Sequence, residues 1–194
     1  MENKRIIIAG VGGQGILLAS DLLSDAAMRA GFDVKKSEVH GMSQRGGDVV
    51  SHIVFGEKVY SPLISYNEAD VILAFEQIES LRNIDFLKDD GVMIINTTKI
   101  LPLPVAAGLM DYPEDPIGEV KKFIKKTYVV DAEKIAKELG NIKVMNVVLL
   151  GFLSKNIKEI EKKYWDESLK ERLPEKVFEI NFKAFNRGYN FEEK

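Results

Sequence analysis

The sequence predicts an α/β fold of three layers, with helices on both faces of a mixed sheet and a helical extension at the C-terminus. Three observations carry this expectation. The apolar run at residues 6–9 leads straight into Gly10-Val11-Gly12-Gly13-Gln14-Gly15, which reads as a buried strand stopped by a tight glycine turn. Ile16, Ala19, Leu22, Leu23, Ala26, Ala27 and Ala30 then recur at helical spacing, with Ser20, Asp21, Ser24, Asp25 and Arg29 on the opposite side. Residues 71–75 and 92–96 are further apolar runs separated by a helical pattern at 78–87, which restores a strand–helix–strand rhythm. Together these make the expected architecture a Rossmann-like α/β/α sandwich.

The remaining elements follow in order. Gly31 closes the first helix as a C-cap. A second strand is expected at 32–36, followed by an exposed functional loop over 37–48, a polar, glycine-containing stretch without regular period. Residues 49–55 and 58–61 are β-prone runs around Gly56-Glu57, so a β-hairpin insertion is expected there, and with it a mixed sheet. Asp90-Gly91 is read as the turn into the strand at 92–96, and the proline-rich stretch 100–116 as an extended segment. A short helix over 117–126, a strand at 128–130 and an Asp131-capped helix over 132–139, stopped at Gly140-Asn141, come next. Helices over 146–153, 157–163 and 173–186 are expected to be peripheral. No repeat or long polar linker divides the chain, so residues 1–194 are read as one domain.

Composition narrows the function classes. A chain of 194 residues with 45% hydrophobic content can bury a full core. Its net charge of -3, from 27 basic and 30 acidic side chains, supplies no broad positive field, so neither nucleic acid nor a membrane surface is an expected partner. Cysteine is absent, which excludes a disulfide framework, a thiolate zinc site, a nucleophilic thiol and an iron–sulfur cluster held by this chain alone. The polar start at residues 1–5 and the short apolar run after it suit neither a signal peptide nor a membrane span, and a cytoplasmic location is expected.

Two segments could bind a ligand. The spacing of Gly10, Gly12 and Gly15 after a strand and before a helix suits three readings: a dinucleotide turn, a turn for the phosphate of another ligand, or glycines that only permit close packing. Asp33 and Glu38 are the acids nearest the spacing a ribose contact needs, but Asp33 falls at the start of the second strand and Glu38 past its expected end. The second segment, Ser43-Gln44-Arg45-Gly46-Gly47, joins a guanidinium to flexible glycines and two hydrogen-bonding side chains. That combination suits bidentate recognition of a phosphate or a carboxylate, with a surface arginine on a turn as the plainer alternative. Both segments follow strands of one open sheet, where ligand crevices lie beyond the strands' carboxyl ends, so they are expected to converge. His40 and His52 do not define a metal site, and His52 is expected to face solvent or a partner. The C-terminal aromatics are expected mostly to pack, with residues 187–191 contributing to an interface. No nucleophile triad or P-loop is present, so no catalytic residue is assigned.

The motif Gly10-Val-Gly-Gly-Gln-Gly-Ile16, together with Ser37-Glu-Val-His-Gly-Met-Ser-Gln-Arg-Gly-Gly47, Val50-Ser-His52 and Tyr60-Ser-Pro-Leu-Ile64, closely resembles the β subunits of indolepyruvate:ferredoxin oxidoreductases. These correspond to the γ domain of the pyruvate and 2-oxoglutarate enzymes, and the likeness extends through Ala69-Asp70, Ala74-Phe75-Glu76 and Gly140-Asn141. The resemblance implies a subunit that is inactive alone and holds no cofactor by itself. Its partner α subunit would carry thiamine diphosphate and the iron–sulfur clusters. The assembled complex would oxidatively decarboxylate a 2-oxoacid, an aryl pyruvate by the wording of residues 37–47, to an acyl-CoA and pass electrons to ferredoxin. It further implies a coenzyme A contact at Gly12, Gly13, Gln14, Gly15 and Arg45, within a candidate set that also holds Gly10, Glu38, Ser43, Gln44, Gly46 and Gly47. A homodimer of the isolated chain is compatible with this reading. The competing expectation is a free-standing NAD(P)-binding oxidoreductase.

Overall fold

In the computed structural model of the chain, the described residues are 2–40, 47–101, 105, 108 and 111–192. Six strands form one mixed sheet in the order β2-β3-β1-β4-β5-β6. They are β1 (Lys4–Val11), β2 (Asp33–His40), β3 (Asp48–Gly56), β4 (Ala69–Ala74), β5 (Leu87–Asn96) and β6 (Thr127–Val130). β1 runs parallel to β4, β4 to β5 and β5 to β6, while β3 is antiparallel to both β1 and β2. Ile6 to Ala9 are fully buried because β1 has a strand on each side and a cored layer on each face, so its apolar run is continuous and not alternating. Ile6 and Ile8 belong to one apolar cluster and Ile7 and Ala9 to the other.

The first cluster is built on helix α1 (Ile16–Arg29), with α4 (Ala132–Glu138), α5 (Met145–Lys155), α6 (Lys162–Arg172) and α7 (Glu175–Tyr189) contributing. The second is covered by α2 (Gln77–Arg82), α3 (Pro116–Phe123) and the irregular segment holding Val59 and Ile64. The three-layer sandwich is therefore as expected. Helix α1 ends in a Schellman motif: the amides of Gly31 and Phe32 donate to the carbonyls of Met28 and Ala27, and Gly31 takes φ +91°. Asp131 accepts from the Lys134 amide at 3.0 Å and caps α4, also as expected.

Several expected boundaries are corrected. Residues 37–40 are not loop but the second half of β2, paired with β3 from Asp33–Gly56 to His40–Val49. The hairpin is thus β2–β3, and residues 58–61 are not a strand. The Val59 amide donates instead to Asp33 at 2.9 Å, and Val59 and Ile64 pack on the sheet as coil. Long-range pairing prevails over local composition here, because an edge strand tolerates the polar residues Ser37 and Glu38. Asp90-Gly91 lies inside β5, not before it: Ala69 pairs with Leu87 but Val71 with Val92, so residues 88–91 form a bulge. Residues 157–161 precede α6 without entering a helix, although Ile157 and Ile160 are buried.

The C-terminal helices are not all peripheral. Every residue from Asn146 to Ser154 in α5 is buried, since α5 is wedged between the sheet and α7. Helix α6 docks on α1, where Ser168 donates to the Leu22 carbonyl at 2.9 Å and Asp25 accepts from Arg29 at 2.6 Å and Arg172 at 3.0 Å. Burial opposes ionisation of Asp25, but its bonds to the two arginines outweigh that and hold it below the usual carboxylate range. No described helix is long and apolar enough to cross a membrane.

Candidate functional site

All the parallel strands point the same way, so the carboxyl ends of β1, β2, β4, β5 and β6 lie along one edge together with the start of β3. The glycine turn sits in the middle of that edge. Gly10 has no room for a side chain: a Cβ there would meet Gln14 Oε1 at 2.7 Å and Phe75 Cβ at 2.8 Å. Gly15 adopts φ +81° and lies under the Asn146 side chain, whose Nδ2 donates to the Gly15 carbonyl at 3.2 Å. Gly13 also has positive φ, +95°, but a Cβ at Gly13 would meet nothing within 4 Å. The amides of Gly13 and Gly15 donate to no acceptor among the described residues. They lie at the N-terminus of the 14-residue helix α1, a favourable place for an anion.

Gln14, expected to touch ligand, has its side chain committed to the fold. Its Oε1 accepts from the Val11 amide at 2.7 Å and its Nε2 donates to the Phe75 carbonyl at 3.1 Å. The Gly12 amide donates to the Gly47 carbonyl at 3.0 Å, so the glycine turn and the far end of the β2–β3 connection are in direct contact, as expected. Ser43, Gln44, Arg45 and Gly46 lie outside the described residues. Glu38 stands within β2 opposite Ser51, its carboxylate bonded to Lys36 at 2.8 Å. Asp33 opens β2 at the opposite edge of the sheet and bonds Lys35. Neither acid occupies the strand tip that a ribose contact needs.

Residues the sequence reading passed over hold this edge together. Asn96, fully buried at the end of β5, donates to the Phe75 carbonyl at 3.1 Å and to Thr98 at 2.8 Å, and accepts from the Ala132 amide at 3.2 Å. Gln14 and Asn96 therefore share one carbonyl, and a hydrogen-bonded line runs from the glycine turn across β4 and β5 to α4. Glu76, also fully buried, accepts from the amides of Ile78 at 2.6 Å, Glu79 at 3.3 Å and Ile100 at 2.9 Å, and from the Tyr112 hydroxyl at 2.8 Å. Tyr112 is pushed above its ordinary pKa, by burial first and by Glu76 second. Glu79 is buried beside it, and burial raises its carboxyl to about 7, with Arg82 opposing and Asp48 and Glu76 adding to the rise. A polar residue ending a buried apolar strand, as Asn96 and Glu76 do, was the available sign.

His52 does not face outward as expected. It is buried, its Nδ1 accepts from the Ile64 amide at 3.2 Å, and its ring meets Phe86 edge-on at 5.7 Å; burial keeps its pKa low. Most of the C-terminal aromatics pack as expected, Phe178 on Phe182 at 5.5 Å and Trp165 against Phe185 at 5.9 Å; Phe191, read as part of an interface segment, packs against Phe152 at 5.8 Å. Arg187 bonds Glu138 at 2.7 Å beside a cleft of about 1110 Å³ between α4 and α7, lined also by Lys134, Phe182 and Lys183. The cleft is on the flank of the sheet and does not include the glycine turn.

The family model described as pyruvate ferredoxin/flavodoxin oxidoreductase matches residues 5–191. The chain is similar to the indolepyruvate oxidoreductase subunit IorB of Thermococcus kodakarensis, 43% identical over an aligned length of 194, with 97% of this chain and 95% of that protein covered. Among solved structures it is similar to the gamma subunit of a keto/oxoacid ferredoxin oxidoreductase from Geobacter sulfurreducens PCA, with TM-score 0.72, 24% identity and 96% of each chain covered. It also resembles part of the 2-oxoglutarate:ferredoxin oxidoreductase from Magnetococcus marinus, whose structure has 2-oxoglutarate, coenzyme A and succinyl-CoA bound, with TM-score 0.73, 22% identity and 97% of this chain on 31% of that one. Those two likenesses establish the fold; the full-length match to the family model and the identity to IorB establish kinship, and the chain belongs to the pyruvate ferredoxin/flavodoxin oxidoreductase family.

Proposed function

We propose that this chain is the small subunit of a 2-oxoacid:ferredoxin oxidoreductase acting on aryl pyruvates such as indolepyruvate, and that it contributes a coenzyme A contact and no redox centre. The observation that carries the reading is its 43% identity, over nearly the whole chain, to a protein named as an indolepyruvate oxidoreductase subunit. The composition agrees. Without cysteine the chain has no thiolate to hold an iron–sulfur cluster, which suits the division of labour that the family resemblance implies: thiamine diphosphate and the clusters on a partner α subunit, with ferredoxin engaged through the complex. When bound there, thiamine diphosphate supplies the carbanion chemistry of 2-oxoacid decarboxylation.

The role of this chain's own residues is anion recognition. Coenzyme A is rich in phosphate, and the Gly13 and Gly15 amides at the start of α1 are donors uncommitted among the described residues. The Gly12–Gly47 bond holds Gly47, two residues after Arg45 in sequence, at the same turn. The free-standing NAD(P) enzyme is the weaker reading, because neither Asp33 nor Glu38 reaches the tip of β2.

Co-expression with the α subunit tests the proposal. The isolated chain should show no indolepyruvate-dependent reduction of ferredoxin or of a viologen dye, the α subunit should restore it, and Arg45→Ala in the complex should raise the KM for coenzyme A more than it lowers kcat. Turnover by the purified chain alone, or tight NAD(P)H binding measured by calorimetry, would overturn it.

A further inference from the structure

We infer that the outer edge of β2 is a self-association surface, at which a second copy of this chain adds its own β2 antiparallel in a register centred on Ser37. β2 is the terminal strand of the sheet. Its inner side pairs along its full length with β3, and no described residue makes a backbone bond to its outer side. A strand edge left open in this way is a template for another strand. Val39 on it is 53% exposed, an apolar β-branched side chain left uncovered by the described residues.

The sequence of this edge selects its own copy and a single register. A twofold axis normal to the sheet keeps each side chain on its own face, so directly opposed residues must be an even number of positions apart. Centring on Ser37 satisfies this and opposes Lys36 to Glu38 of the second copy and Lys35 to Val39, each pairing made twice because the interface is isologous. The neighbouring allowed registers are centred on Lys36 or on Glu38 and set like charges face to face, which is destabilising. Lys36 already bonds Glu38 of its own strand at 2.8 Å and Asp21 of α1 at 2.5 Å, on the face toward that helix. The second copy sets its own Lys36–Glu38 pair alongside in the opposite order, so the four charges form a square of alternating sign across the two strands. Lysines blunt many sheet edges against association; here each lysine has an acid or an aliphatic neighbour waiting in the partner strand, and the sheet grows from six strands to twelve.

The absence of cysteine makes a clean test available. In Ser37→Cys the two new thiols would be directly opposed, within reach of a disulfide. In Lys35→Cys they would be four strand positions apart, beyond its reach. Mild oxidation of the full chain at micromolar concentration should give a covalent dimer with S37C and none with K35C. Sedimentation of the unmodified chain should show a dimer, which Glu38→Lys weakens tenfold or more. A monomeric unmodified chain that leaves S37C uncrosslinked would overturn the inference, as would equal crosslinking of both variants. Protection of the β2 amides from hydrogen exchange only after an α subunit is added would also overturn it, and would assign the edge to that subunit.

Discussion

Two regions of this molecule are built with glycine for different ends: the turn at the carboxyl edge of the sheet and the crossing of α5 with α7. At the crossing, a Cβ on Gly151 would strike the Phe185 carbonyl and one on Gly188 the Val148 carbonyl. The two glycines let the helix backbones approach each other, and every group around them is packed. At the turn Gly10 and Gly15 are hemmed in, by Phe75 and Asn146, while a Cβ on Gly13 would meet nothing within 4 Å. The surroundings differ as well. The crossing is apolar, whereas the turn is tied through Gln14 to the Phe75 carbonyl and so to Asn96. Glycine by itself therefore reports nothing about binding; in the proposed coenzyme A contact the candidate is Gly13, with room around it and an amide uncommitted among the described residues.

The strongest test of this contrast is at the crossing. Gly188→Ala places a methyl group against a backbone carbonyl that cannot rotate away, so the helices must separate. Overpacking of this kind costs ~3 kcal/mol, partly offset by ~1 kcal/mol of improved helix propensity. Urea denaturation should show a net loss of ~2 kcal/mol with the secondary structure intact. An unchanged midpoint would mean that the crossing can relax, and that the two glycine regions are more alike than the packing indicates.

How much of this was legible in the sequence depended on whether neighbours along the chain or across it decided the outcome. The first strand, the turn and α1 were readable because Ile6 to Ala9, Gly10 to Gly15 and the apolar face from Ile16 to Ala30 are local patterns. The strand half at residues 37–40 was hidden, since its only reason to be a strand is β3. The same holds at the site. Contact between the glycine turn and the β2–β3 connection followed from sheet geometry, but the roles of Asn96 and Glu76 are set by partners more than 20 residues away. Gly151 and Gly188 have meaning only against each other's helix.

A second test separates the polar edge from the dry crossing by pH. Glu79 is buried, and its carboxyl is raised from 4.5 to about 7. The folded chain therefore holds a proton there that the unfolded chain releases earlier. This contribution to stability is fully present below pH ~4.5, declines as pH rises and is lost above pH ~7, by at most ~3 kcal/mol. Glu79→Gln cannot ionise, so its denaturation midpoints at pH 5 and pH 8 should differ by less than those of the parent. Gly188→Ala should retain the parent's dependence. Equal slopes in parent and E79Q would show that the charge at the edge is already compensated by Arg82, which bonds it at 2.8 Å.

The smallest change in stability belongs to Gly13, and it is the most informative of the three. Gly13→Ala meets no atom, so its whole cost is that of a left-handed backbone for a residue with a Cβ, ~1–2 kcal/mol. The α5–α7 crossing and the Gln14 bonds are untouched, and the folded chain should assemble as before. Its methyl group, however, stands with no atom within 4 Å, beside amides uncommitted among the described residues. In the complex with the α subunit the variant should raise the KM for coenzyme A several-fold at nearly constant kcat. A variant that lost stability but kept the parent's KM would place Gly13 with Gly151 and Gly188, a glycine kept for its backbone alone, and would move the coenzyme A contact away from this turn.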